Sequence, residues 1–166
     1  LMAAIGASTE PTAPKLALAD EEVGTFAETF LPTNSNVERR RWLGLNPGAE
    51  YGPAKCWPAE RFIEAAVKLQ KATCCGWIVF GANGDENAQR IAAELAKQTS
   101  ADAVCDLVGK PSLLQRCAGL KYCAAVLTND SGPMHAAAAL GTPVVVPFGS
   151  TSIELTGPGL PGDSST

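Results

Sequence analysis

The chain of 166 residues has the length of one domain, and a hydrophobic content of 46% with 18% charged residues is typical of globular proteins. Its 13 lysines and arginines are scattered among 17 acidic residues, which argues against the basic surface of a nucleic-acid partner. No apolar run reaches the length of about 18 residues that crosses a bilayer, and no signal-peptide pattern opens the chain. We therefore expect a cytoplasmic protein.

The first 40 residues are interpreted as an interdomain linker that carries one short helix over residues 19–30. Val23, Phe26 and Phe30 recur at helical spacing and predict one apolar face. Residues 41–166 form the predicted domain. Because the chain begins with Leu1 and ends in a polar Gly/Pro/Ser stretch, we expect this domain to be incomplete at its C-terminal end.

From Trp42 onward, short apolar runs alternate with helical periods. The predicted strands and helices, in chain order, are residues 42–45, 59–71, 77–80, 85–97, 104–108, 112–120, 124–127, 132–140 and 144–148. Strands that are continuously apolar indicate a parallel sheet buried on both faces. The predicted fold class is α/β, a Rossmann-like parallel sheet with helices on both faces. Ligands in such folds bind beyond the carboxyl ends of the strands.

One predicted binding loop follows the first strand. It reads Asn46-Pro47-Gly48-Ala49-Glu50-Tyr51-Gly52-Pro53-Ala54-Lys55-Cys56-Trp57-Pro58. This is longer than an ordinary strand-to-helix loop of about 2 to 6 residues. Gly48 and Gly52 allow a close approach of backbone to ligand, and Lys55 offers a point charge for a phosphate. The alternative interpretation is an exposed lysine on a surface loop.

A second predicted loop follows the fourth strand and reads Thr128-Asn129-Asp130-Ser131-Gly132-Pro133-Met134-His135. The helix start after it can bind an anion such as pyrophosphate through the Ser131 and Gly132 amides. Asp130 would repel phosphate and is better suited to sugar hydroxyls, or it is simply a helix N-cap. His135, the only histidine, either donates to a sugar or phosphate oxygen or has a structural role.

Other site types lack their sequence signatures. The six cysteines form no CxxC pair and are predicted to be reduced, buried structural thiols. Dinucleotide-binding GxGxxG, nucleotide-binding GxxxxGK[ST] and hydrolase GxSxG patterns do not occur.

The two long loop motifs, in this order, resemble the lipopolysaccharide heptosyltransferase II family, and the similarity runs from about residue 42 to about residue 158. The resemblance implies a GT-B enzyme, in which two Rossmann-like domains face a cleft, and this chain resembles the C-terminal, donor-binding half. Such enzymes move L-glycero-D-manno-heptose from ADP-heptose to the first heptose of the lipopolysaccharide inner core. A cytoplasmic location with peripheral contact at the cytosolic face of the inner membrane is implied.

The resemblance also implies roles for single residues. Lys55 would contact the donor phosphates and stabilise the leaving group, Glu86 would bind the ribose, and the 109–112 turn with Lys110 would flank the adenine. The remaining donor-binding positions are Gly48, Asp130, Ser131, Gly132 and His135. No metal and no cofactor are expected, since no DxD-like carboxylate pair is present. The family's general base would lie in an N-terminal domain that this chain lacks, so the chain alone should be inactive.

Two departures and two alternatives accompany the resemblance. Cys56 stands where the family often has a basic residue, and Pro133 replaces a commoner aliphatic one. Proline is tolerated in the first turn of a helix. The chain is alternatively part of another GT-B transferase, or of an epimerase, that uses a different nucleotide sugar. It is otherwise a nucleotide-binding module without transfer chemistry.

Overall fold

Strands and helices alternate along the chain in the computed structural model, which describes residues 3–6, 12–32, 40–48 and 53–159. The elements within these ranges are α1 (Asp20–Phe30), β1 (Trp42–Asn46), α2 (Ala59–Thr73), β2 (Gly76–Val79), α3 (Glu86–Gln98), β3 (Val104–Asp106), α4 (Leu113–Tyr122), β4 (Val126–Thr128), α5 (Gly132–Ala139), β5 (Val144–Val145) and α6 (Ile153–Thr156). Short 3₁₀ turns occur at Ala3–Ile5, Pro53–Lys55 and Ala101–Ala103.

The five strands form one parallel sheet in the order β3-β2-β1-β4-β5. The chain first runs outward from β1 to β3 and then returns to place β4 on the other side of β1. Asn46 at the end of β1 lies opposite Thr128 at the end of β4. In open α/β sheets, ligands bind at the point where the strand order reverses, and that point here lies between β1 and β4.

Helices cover both faces of the sheet, as the sequence predicts. The alternation is visible in β2 and the residue after it: Trp77 and Val79 contribute to one apolar cluster, whereas Ile78 and Phe80 contribute to the other. The first cluster includes α2 and α3, through residues such as Phe62. The second includes side chains from α1, α4 and α5. Two apolar clusters therefore lie on opposite faces of the sheet.

Helix α1 is packed into the domain, although the sequence places it in a linker. Phe26 is 1% exposed, and a Cβ on Gly119 of α4 would lie only 2.7 Å from the Phe26 ring. The Leu16 N–H ahead of α1 also donates to the Ala139 carbonyl at 2.8 Å. Of the three predicted face residues, Phe26 is buried, and Val23 and Phe30 are half-buried.

Several predicted boundaries differ from the structure. The strand predicted at 144–148 is only the two-residue β5, because it pairs with β4 alone and Pro147 has no N–H for a ladder. The strand predicted at 104–108 ends at Asp106, and α6 follows the last element that the sequence predicts.

The cysteine prediction holds for half of the thiols. Cys75, Cys105 and Cys123 are buried, and burial raises the pKa of Cys105 to about 11. Cys56 and Cys117 are half-buried, and Cys74 is exposed at the end of α2. Cys74 is the C-cap of α2 in the left-handed conformation, with φ of 56°, and the chain enters β2 two residues later.

Candidate functional site

The loops that follow β1 and β4 meet at the carboxyl edge of the sheet. Lys55 ends the 3₁₀ turn Pro53–Lys55, and Asp130 lies two residues beyond β4. The Lys55 ammonium donates to Oδ2 of Asp130 at 2.9 Å. The Asp130 side chain is 6% exposed and that of Lys55 is 24% exposed, so this ion pair is largely shielded from water. The structure thus brings together the two charged residues that the sequence singles out in separate loops.

Asp130 has two further partners, both from the segment that follows β5. The hydroxyl Oγ1 of Thr151 lies 2.7 Å from Asp130 Oδ2, and that of Thr156 lies 3.0 Å from the same oxygen. Thr156 is the last residue of α6. A third loop of the carboxyl edge is therefore joined to the Lys55–Asp130 pair.

Asp130 is held in its charged form. Burial by itself raises the pKa of this carboxyl, but hydrogen bonds from Lys55, Thr151 and Thr156, with the positive charge of Lys55, together bring it below the ordinary value. A buried carboxylate with this set of donors is suited to accept hydrogen bonds from ligand hydroxyls.

Asn129 connects the two main loops through their backbones. Its side-chain N–H donates to the Pro47 carbonyl at 2.5 Å, and its side-chain oxygen accepts from the Trp57 N–H at 3.0 Å. Asn129 is 0% exposed. One buried amide thus fixes the described parts of the loop after β1 on either side of residues 49–52, which lie outside the described residues.

Gly48 lies against the start of α3. A Cβ at this position would be 2.7 Å from Oδ2 of Asp85, and Asp85 is the N-cap of α3, accepting from the Ala88 N–H at 3.0 Å. Glu86, predicted to bind ribose, is the first residue of α3 and is exposed. The structure therefore places Gly48, in the loop after β1, beside the N-terminus of α3, where Glu86 lies.

The start of α5 differs in part from the prediction. Ser131, not Asp130, is its N-cap, so the interpretation of Asp130 as an N-cap is wrong. Pro133 has no N–H, and the Met134 N–H donates to the Ser131 carbonyl at 3.0 Å, which leaves Gly132 to supply an N–H from the first three helical positions. His135 is exposed, and it forms none of the hydrogen bonds that join Lys55, Asp130 and α6.

Lys110 lies on the far side of the edge, after β3. It is exposed, and its ammonium donates to the Asp106 carbonyl at 2.6 Å. The adjacent Gly109 has φ of +69°, and its N–H donates to the Gly81 carbonyl at 3.1 Å. The loops after β2 and β3 are thus in contact, while Lys110 is directed to its own strand.

Sequence reasoning missed three residues of this site. Asn129 belongs to the 128–135 motif, in which the sequence predicts no role for it, and Thr151 and Thr156 lie beyond the last predicted strand. The hydroxyls of Thr151 and Thr156 reach Asp130 across 21 and 26 residues. Contacts between residues this far apart in the chain cannot be predicted from local sequence patterns.

The described part of the chain contains no group of three or more His, Cys, Asp or Glu side chains that could hold a metal ion. None of its helices is long and apolar enough to span a membrane.

Comparison with known sequences gives one family over nearly the whole chain. Residues 1–163 match glycosyltransferase family 9 (heptosyltransferase). Lipopolysaccharide heptosyltransferase 2 of Escherichia coli K12 is 36% identical over 149 residues, which cover 87% of this chain and 40% of that protein. Lipooligosaccharide heptosyltransferase 2 of Haemophilus influenzae is 31% identical over 147 residues, with 87% and 42% covered.

Solved structures show the same fold. The structure of E. coli ADP-heptose lps heptosyltransferase II superposes with a TM-score of 0.77 at 34% identity, covering 93% of this chain and 45% of that one. The E. coli heptosyltransferase WaaC with ADP has a TM-score of 0.63 at 24% identity, covering 92% and 43%. The predicted α/β fold is confirmed, and the chain spans less than half the length of these relatives.

Proposed function

Since the chain belongs to glycosyltransferase family 9, the heptosyltransferase family, we propose that it is the donor-binding half of an enzyme that transfers heptose from ADP-heptose. The acceptor is the heptose of the lipopolysaccharide inner core. One observation carries this proposal: the Lys55–Asp130 ion pair at 2.9 Å lies beside the point where the strand order reverses. A cation and an anion placed there match the two unlike parts of a nucleotide sugar.

Lys55 is the residue that stabilises the departing diphosphate. Breaking the bond between sugar and phosphate builds negative charge on the leaving group, and an ammonium at hydrogen-bond distance stabilises that charge more strongly in the transition state than in the ground state. The Gly132 N–H at the start of α5 adds a donor, and the helix dipole favours an anion at the same place. Ser131 and His135 flank this position.

Asp130 is proposed to bind the sugar. Its three hydrogen bonds within the described residues all end on Oδ2, which leaves Oδ1 to accept from a heptose hydroxyl. A carboxylate repels the phosphates, so the sugar and the diphosphate are expected to lie on opposite sides of the Lys55–Asp130 pair.

The nucleoside is proposed to extend along the edge towards β2 and β3. Glu86 at the start of α3 accepts hydrogen bonds from the ribose hydroxyls, and the 109–112 turn with Lys110 flanks the adenine. Gly48 keeps the intervening loop close to Asp85, where a Cβ would be only 2.7 Å from the carboxylate.

A second domain is proposed to complete the enzyme. The chain spans 40% of the E. coli relative, and the general base that deprotonates the acceptor hydroxyl is expected outside it. The isolated chain should therefore bind donor without transferring it. We place the whole enzyme in the cytoplasm, with peripheral contact at the cytosolic face of the inner membrane.

Isothermal titration of the chain with ADP, GDP and UDP tests this proposal. We expect selective binding of ADP, weakened by Lys55→Ala and unaffected by the control Lys68→Ala, whose side chain is 75% exposed in a helix surface ion pair. Equal binding of all three nucleotides, or none, would contradict the donor-site assignment. Repeating the titration with ADP-heptose and ADP-glucose, on wild type and Asp130→Ala, distinguishes a heptose site from one for another nucleotide sugar.

A further inference from the structure

Three hydrogen-bond donors converge on a single carboxylate oxygen. Asp130 Oδ2 accepts from Lys55 Nζ at 2.9 Å, from Thr151 Oγ1 at 2.7 Å and from Thr156 Oγ1 at 3.0 Å. One of these donors carries a positive charge and two are neutral. The carboxylate is therefore supported by two segments of the chain, the loop after β1 and the segment after β5.

The segment that carries the two threonines makes further hydrogen bonds of its own. The Ser150 hydroxyl donates to the Ala54 carbonyl at 3.0 Å, beside Lys55. The turn of α6 is closed by the Gly157 N–H, which donates to the Ile153 carbonyl at 2.8 Å. A Cβ at Gly157 would lie 2.4 Å from that carbonyl oxygen, so only glycine fits there without a shift. These contacts place Thr151 and Thr156 on either side of the α6 N-cap.

Thr156 has a choice of acceptor, and its geometry favours Asp130. Its hydroxyl lies 3.1 Å from the Ser152 carbonyl and 3.0 Å from Asp130 Oδ2. A hydroxyl has one hydrogen to donate, and an ionised carboxylate is the stronger acceptor of the two. The Thr156 hydroxyl therefore donates to the Asp130 carboxylate in preference to the Ser152 carbonyl.

A bound diphosphate competes with Asp130 for Lys55. The Asp130 side chain is 6% exposed with Lys55 in place, and if the ammonium turns to a phosphate, the carboxylate loses its charged partner beside a new anion. A buried carboxylate without partners is strongly unfavourable. Neutral donors that stay on the carboxylate when Lys55 leaves keep it hydrogen-bonded, and they add no charge to the site.

We propose that Thr151 and Thr156 form a threonine clasp, a pair of positioning residues that keeps Asp130 charged and in place while Lys55 turns to the donor diphosphate. This inference rests on the proposed function for its ligand. In this proposal the segment after β5 helps to release Lys55. Without the two threonine hydrogen bonds, the attraction between Lys55 and Asp130 would keep the ammonium on the carboxylate.

The charge state of Asp130 in the ligand-free chain tests the clasp without a ligand. The carboxyl carbon of Asp130 is titrated by NMR in wild type, Thr151→Val, Thr156→Val and the corresponding serine variants. We expect each valine variant to raise the pKa of Asp130 and each serine variant to restore it. The control Thr73→Val removes an exposed hydroxyl that bonds to its own helix at Leu69, and it should leave the titration unchanged.

ADP binding then tests the release of Lys55. The Thr151→Val/Thr156→Val chain should bind ADP about tenfold more weakly than wild type. When Lys55 turns to the diphosphate in this variant, the Asp130 carboxylate keeps no threonine hydrogen bond, and this loss opposes binding. In an Asp130→Asn background the same double change should have no further effect. Alanine variants replace valine if either valine variant fails to fold by circular dichroism.

The outcomes separate the two proposals. An Asp130 titration that is identical in wild type and both valine variants overturns the clasp, and so does an unchanged ADP affinity in the double variant. If wild type itself binds no ADP, the proposed function fails, and the titration of the ligand-free chain still decides whether the threonines hold the carboxylate.

Discussion

The ammonium of Lys55 and the carboxylate of Asp130 meet at 2.9 Å, although 75 residues separate them in sequence. Because β1 and β4 are neighbours in the sheet, the loops that follow them are brought side by side. The pair therefore joins the two loops directly. A ligand that binds there has to replace part of this contact with contacts of its own.

Acid should remove the contribution of Asp130 to stability. The folded protein lowers the pKa of this group, so its stabilisation is complete above the unfolded pKa of about 3.9 and is lost as the pH falls through the lower folded pKa. Urea unfolding of wild type and Asp130→Asn should give a difference in the free energy of unfolding that is largest at neutral pH and shrinks below about pH 4. A difference that stays constant down to about pH 2 would count against the ionised, paired carboxylate.

Gly48 should be coupled energetically to Asp85. Gly48→Ala places a Cβ 2.7 Å from Asp85 Oδ2, which displaces the cap of α3, and loss of a cap costs about 1 kcal/mol. In an Asp85→Ala background the clash is absent, so Gly48→Ala should cost less there. Chemical denaturation of the four proteins measures this coupling, and strictly additive effects would show that the two sites are independent.

Asn129 should hold the loop after β1 more than it supports the sheet. Asn129→Ala removes the partners of the Pro47 carbonyl and the Trp57 N–H, and unsatisfied buried groups cost roughly 1–3 kcal/mol each. Hydrogen exchange should accelerate at the Trp57 amide while the β2 amides keep their protection. The control Asn87→Ala changes an exposed position in α3 and should leave both unchanged.

Glu86 should distinguish ADP from pyrophosphate. If its carboxylate binds the ribose hydroxyls, Glu86→Ala should weaken ADP binding about tenfold and leave the binding of inorganic pyrophosphate unaffected. Calorimetric titration with both ligands measures this, with Glu94→Ala on α3 as the matched control. Equal losses for both ligands would indicate a general electrostatic effect and remove Glu86 from the ribose site.

The fold was largely predictable because its signals are local. Continuously apolar segments such as 77–80 can only be buried on both faces, and the helical periods between them require parallel crossovers. Strand ends were less accessible: β5 stops after Val145, since its length depends on having a single partner strand. The packing of Phe26 against α4 was likewise invisible, because an amphipathic helix does not reveal which surface it covers.

The site was only partly predictable. Lys55 and Asp130 were identified as charged residues at strand ends, but their direct pairing depends on the strand order, which a sequence does not state. Thr151 and Thr156 carry no charge and no motif of their own. Their contacts with Asp130 follow only from the three-dimensional path that returns the segment after β5 to this residue.

A crystal structure of the chain with ADP tests the assignment of Lys55 as the residue that contacts the donor diphosphate. We expect the diphosphate at the edge between β1 and β4, with Lys55 Nζ within about 3 Å of a phosphate oxygen. Asp130 should then retain Thr151 and Thr156. ADP bound elsewhere on the chain, or bound at this edge while Lys55 contacts no phosphate, would contradict the assignment of Lys55 as the residue that stabilises the leaving group.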